Sequence, residues 1–124
     1  MTLKELYAKI DGSYDQAISI LRIEKLIDKY IRKFPNCGVV TNVIAAKETM
    51  DPTQLFETAH AMKGVCSNLG LVNLAAAASE IAEEYRPGKS RTMSDEAVKE
   101  KIAKISEMFD KATEGINEYI NSVQ

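Results

Sequence analysis

Near the end of the chain, Val98, Ile102, Ile105, Phe109, Ala112, Ile116, Tyr119 and Val123 recur in alternating steps of four and three. Such spacing draws one apolar stripe along a single long helix, and a stripe of that kind is stable only when near-antiparallel neighbours cover it. The rest of the chain must therefore supply further amphipathic helices. It has the means: 45% of the residues are apolar, and Gly and Pro number only six and three. Many of the others are Ala, Leu, Ile, Glu and Lys, several of them with unbranched side chains that lose little rotamer freedom in a helix. No segment shows the strict apolar–polar alternation of a half-buried strand. We expect an all-α fold, a four-helix up-and-down bundle with short additional N-terminal helices, formed as one domain over residues 1–124.

The punctuation of the chain divides it further. Residues 2–10 form a short amphipathic segment stopped by Asp11-Gly12, a turn-favouring pair. Tyr14, Ala17, Ile18 and Leu21 keep one helical phase and Leu26, Ile27, Tyr30, Ile31 and Phe34 another, so a break or kink is predicted near Arg22 and Ile23. Pro35 to Gly38 closes that segment, and Val39, Val40, Val43, Ile44 and Ala46 mark a shorter helix ending near Glu48. Asp51-Pro52 is a strong helix start, because the carboxylate can cap free amides and Pro at the first turn forfeits no hydrogen bond. That helix should run to Leu69, with Gly70 as its stop, and the next should continue to Pro87-Gly88. Ala75 to Ala78 permit close helix contact, and Gly115 is expected to bend the last helix slightly.

Charge and composition exclude several function classes. A formal charge of −2 gives no general attraction to phosphate backbones or anionic membranes, so neither nucleic acid nor a membrane is an expected partner. The opening MTLKELYAKIDG has no apolar run of signal-peptide type, and no segment approaches the roughly 20 apolar residues that span a bilayer. The expectation is a cytoplasmic, monomeric protein. Cys37 and Cys66 are read as reduced packing residues.

One helix carries the chemistry. In FETAHAMKGVCSNLGL, residues 56–71, Leu55, Ala59, Met62, Cys66 and Leu69 share the face that must turn to the core. The chain's single histidine, His60, lies well away from that face and groups instead with Phe56, Lys63, Gly64 and Ser67. Glycine inside a helix costs about 1 kcal/mol relative to alanine, so Gly64, pointing away from the core, reads as clearance for something outside. Lys63 can offset an anion formed on the imidazole, and Phe56 adds apolar surface for docking another protein.

AHAMKGVCSNLGL resembles the signature of histidine-containing phosphotransfer (Hpt) domains, His-x-x-Lys-Gly followed by Leu-Gly, carried here by His60, Lys63, Gly64, Leu69 and Gly70. YAKIDGSYDQAISIL upstream and LAAAASEIAEEYR downstream are also similar to segments of such domains, so the likeness covers roughly residues 5–86. It implies a phosphorelay protein of a two-component system. His60 would take a phosphoryl group from a receiver-domain aspartyl phosphate and pass it to the aspartate of another receiver, with Lys63 and Gly64 assisting. The implied partners are response-regulator receiver domains and hybrid sensor kinases. The domain itself needs no cofactor, Mg²⁺ being supplied by the partner receiver. Arg86 matches a second basic residue that often lines the family's site, joining Phe56 and Ser67 as partner-binding candidates. Where many members carry a polar side chain one turn before that position, this chain has Ala82, and the residue after the histidine, often threonine, is Ala61.

Other readings of the same residues are weaker. Glu57 to His60 fits the Glu-x-x-His pattern of di-metal bundles, but such a site needs two copies, so no metal is assigned. Cys66 and His60 project to different faces and cannot form a nucleophilic pair. No Gly-rich nucleotide loop accompanies the histidine, so autonomous kinase activity is not expected. The alternative from another class is a non-phosphorylated helical adaptor that binds protein partners by its surface.

Overall fold

The computed structural model of the protein describes residues 1–122. Among the described residues seven α-helices follow in order: α1 (Leu3–Lys9), α2 (Tyr14–Leu21), α3 (Glu24–Lys33), α4 (Val39–Ala46), α5 (Pro52–Asn68), α6 (Val72–Glu84) and α7 (Asp95–Ser122). A short 3-10 turn, Phe34–Asn36, links α3 to the loop before α4, and there is no strand among the described residues. The protein is an all-α bundle in which α4, α5, α6 and α7 touch in cyclic order, while α1 lies on α7, α2 on α5 and α3 on α7.

Local sequence explains where these helices start. The Thr2 hydroxyl accepts the Glu5 amide while the Glu5 carboxylate accepts the Thr2 amide, a reciprocal cap that begins α1. Ser13 Oγ accepts the Gln16 amide at 3.1 Å to begin α2, and the Asp51 carboxylate accepts the Gln54 amide at 3.3 Å to begin α5, with Pro52 in its first turn. The break at Arg22 and Ile23 is present. Arg22 has φ 76°, and the Ile23 amide bonds back to the Leu21 carbonyl at 3.0 Å, forming a three-residue turn that a non-glycine residue adopts only with strain.

The core follows the helical stripes. Leu55, Ala59, Met62, Cys66 and Leu69 are buried on α5 and its end, opposite Val98, Ile102, Ile105, Ala112, Ile116 and Tyr119 of α7. Phe109 is half-buried, its ring edge-on to Phe34 at 5.8 Å; Val123 lies outside the described residues. Burying each Leu, Ile or Met here contributes about 1.5–3 kcal/mol, so the α5–α7 stripes supply much of the force that closes the bundle.

Three expectations need correction, and Gly115 has a role beyond the slight bend expected of it. Gly115 serves packing: a Cβ there would lie 2.4 Å from Ile10 Cγ2 and 3.6 Å from Leu6 Cδ1, so the glycine is the notch that seats α1 on an unbroken α7. Cys37 is exposed, because it falls in the surface loop after the 3-10 turn; Cys66 is buried, and burial pushes its thiol up to about 12. Tyr30, placed by phase on the inner stripe of α3, is 42% exposed, since Ile27 and Ile31 already occupy the inward positions. Finally, α6 ends at Glu84, before Pro87-Gly88, where Tyr85 closes the last turn through the Ile81 carbonyl and the chain folds back onto Glu84.

Candidate functional site

His60 stands midway along α5 with its side chain exposed. Asp51 fixes the start of this helix, and contacts from the N-terminal helices fix its end. The Tyr7 hydroxyl donates to the Leu69 carbonyl at 2.6 Å, Gln16 Nε2 donates to the Ser67 carbonyl at 2.9 Å, and the Ser13 amide donates to the Gly70 carbonyl at 2.7 Å. Gly70 has φ 69°, and a Cβ there would fall 2.2 Å from the Ser13 carbonyl oxygen. Left-handed backbone and close approach together exclude other residues at this position. Leu69 and Gly70 are thus structural, joining α5 to the N-terminal helices.

Phe56, His60, Lys63, Gly64 and Ser67 do share one face. The Phe56 ring stacks on the imidazole with centroids 5.6 Å apart and planes inclined by 18°, while its inner edge packs against the core. Lys63 is half-buried, and Gly64 is exposed with nothing within 4 Å of where a Cβ would stand. No helix contact requires that glycine. The result is an aromatic-backed imidazole with a cation on one flank and bare backbone on the other. Ser67 is half-buried at the far end of the stripe.

Arg86 reaches the edge of this face from just beyond α6. It is exposed, its Nε donating to Glu83 Oε2 at 3.2 Å and its Nη2 to Glu83 Oε1, and it lines a shallow cleft together with Pro52, Thr53 and Phe56. Ala82 is buried at the α6 seam and presents nothing polar to the site.

Two features escaped sequence reasoning. Glu84 is 1% exposed, yet it accepts hydrogen bonds from the Met93 and Thr92 amides at 2.7 and 2.8 Å, from Thr92 Oγ1 at 2.8 Å and from Arg91 Nε at 3.0 Å. These bonds, the Met93 amide first, hold its carboxyl far below the ordinary carboxylate range and fold the loop between α6 and α7. A helix-terminal glutamate reads as surface, and only its place directly before Tyr85 hinted otherwise. The second feature is apolar: Ile20 and Ile23, flanking the Arg22 turn, are 43% and 52% exposed. Near them an open groove lined by Leu21, Tyr30, Val39 and Val65 begins one residue beyond Gly64. The phase slip at Arg22 was the available signal, since two helical phases cannot both send every apolar side chain inward.

Among the described residues, no group of three or more His, Cys, Asp or Glu side chains is arranged to hold a metal ion, and no helix is long and apolar enough to cross a membrane. No curated protein and no solved structure matches the chain. The family model of the Hpt domain matches residues 20–115, from the last turn of α2 into α7. The match reaches further along the last helix than the resemblance of residues 5–86 and leaves α1 outside it. With most of the chain covered, α5 and its histidine included, this protein belongs to the Hpt domain family, the helical-bundle modules of phosphotransfer in two-component phosphorelays.

Proposed function

We propose that His60 is the phosphoryl carrier of this domain, taking phosphate from the aspartyl phosphate of one receiver domain and giving it to the aspartate of another. The observation that carries the reading is the exposed imidazole between Lys63 and the open backbone at Gly64. A ring nitrogen lone pair forms the N–P bond as the acyl-phosphate P–O bond breaks, and the departing aspartate keeps that electron pair. The positive charge gained by the ring is discharged when its other N–H proton passes to water. Transfer of this kind depends mainly on alignment and charge neutralisation. The receiver contributes its Mg²⁺ and acidic pocket, whereas this domain contributes the nucleophile, a lysine against the roughly −2 charge of the phosphoryl group, and room for the receiver's loops at Gly64.

Docking uses the same face. Phe56 and Ser67 lie along it, Arg86 at its edge, and the groove from Val65 to Tyr30 continues it onto α3. Hybrid sensor kinases and response regulators supply the receivers, and the protein works as a cytoplasmic monomer.

The test is chemical. Incubated with a receiver domain charged by acetyl phosphate in Mg²⁺, the protein gains a phosphate that is labile in acid and stable in alkali, and His60→Gln gains none. Phosphate retained by His60→Gln would overturn the site. No phosphate on either protein, with receiver binding intact, would favour the non-phosphorylated adaptor.

A further inference from the structure

Two successive glutamates at the end of α6 hold two arginines in opposite ways. Glu84 is sealed inside, receives several donors and holds Arg91, which also reaches the Met93 carbonyl and Asp95. That arginine is committed to the loop. Glu83 faces outward, and its pair with Arg86 is open to solvent, with side-chain exposures of 49% and 58%. An exposed pair of this kind adds little stability and exchanges partners readily. Arg86 is thus a guanidinium on a loose tether, in the cleft it shares with the phenyl ring that stacks on His60.

We propose that Glu83 is a positioning residue that keeps Arg86 in reserve in the cleft it shares with Phe56, the ring that stacks on His60, and sets how strongly the domain favours its phosphorylated state. This rests on His60 being the phosphoryl acceptor. A phosphoryl group on the ring and the Glu83 carboxylate are alternative oxygen pairs for the same planar fork of donors, and the phosphoryl group carries the larger charge. On phosphorylation Arg86 leaves Glu83 for the phosphoryl oxygens; on transfer to the next receiver it returns. Glu83 therefore opposes the phosphorylated state by competition, which keeps the phosphate transferable. Lys63 belongs to the same contest. The Arg86 hydrogen bond does most to hold the Glu83 carboxyl below its ordinary range, and the nearby charges of Lys63 and Lys89 add to it.

The test is a double-mutant cycle on the whole protein. Wild type, Glu83→Gln, Arg86→Ala and the double variant are each equilibrated with one receiver domain and acetyl phosphate in Mg²⁺. The ratio of phospho-His60 to phospho-receiver is read on a phosphate-affinity gel, with circular dichroism confirming that each variant folds. Glu83→Gln is expected to raise the ratio by about two- to fivefold, the size an exposed ion pair can supply, and Arg86→Ala to lower it by a similar factor. In the Arg86→Ala background the Glu83→Gln effect should vanish. The Arg86 Nε resonance should move on phosphorylation of the wild type. An unchanged ratio in Glu83→Gln, or an equal rise with and without Arg86, overturns the proposal while leaving His60 as carrier. Absence of phosphohistidine in the wild type overturns both.

Discussion

At the scale of single residues, three glycines show how differently the same absence of a side chain is used. Gly70 is needed for its left-handed backbone and for contact with Ser13, Gly115 for the seat of α1, and Gly64 for neither, since a methyl group there meets nothing. Gly64 is the one whose presence costs the folded protein stability. Gly64→Ala should therefore raise stability by up to about 1 kcal/mol, seen as a higher midpoint in urea, while slowing phosphoryl transfer from a charged receiver. A transfer rate that stays at wild-type level would show that the bare backbone is not there for a partner. The histidine itself was readable for a simple reason: helical periodicity placed it off the core stripe, and neighbours within one turn gave it a cation and an opening. Arg86 was not readable in the same way, because its partner Glu83 and the cleft against α5 arise from the meeting of two helices.

At the scale of elements, the end of α6 is the instructive case. Stop signals predict where a helix can no longer continue, and Pro87-Gly88 set the expected end of α6. The helix stops at Glu84 itself, whose buried carboxylate accepts the Thr92 and Met93 amides and so holds the following chain folded back against the helix end. Its carboxyl titrates far below the ordinary carboxylate value, so the sign follows directly. The stabilisation is fully present above the unfolded-state pKa near 4.5 and is lost as pH falls towards the lower folded-state value. Glu84→Gln should lower the melting temperature at pH 7 by several degrees and flatten the decline in stability between about pH 5 and pH 2. The loop over residues 86–93 should exchange its amides faster in that variant. A melting curve that keeps the wild-type dependence on pH would assign the acid sensitivity to other carboxylates, Asp28 beneath Tyr119 among them.

For the molecule as a whole, the core and the proposed phosphoryl acceptor lie on opposite sides of α5, so substitutions there should separate stability from function. Met62 is fully buried, so Met62→Ala should cost about 2–5 kcal/mol and lose activity only as the fold is lost. His60→Gln should change the unfolding midpoint by less than about 0.5 kcal/mol while abolishing phosphate uptake. Denaturant titration of the two variants beside a transfer assay distinguishes the cases. A large destabilisation by His60→Gln would mean that the ring stacked on Phe56 is a packing element.

The helical class, the stripes of α5 and α7, the break at Arg22 and the candidate histidine were all determined by the sequence alone, because each depends on residues within one or two turns of one another. Which apolar residues remain outside, as Tyr30, Ile20 and Ile23 do, which glutamate is buried, and what Gly115 makes room for were decided only by the tertiary structure. Those outcomes depend on which distant element covers a given face. A local period specifies a face but carries no information about what will stand opposite it.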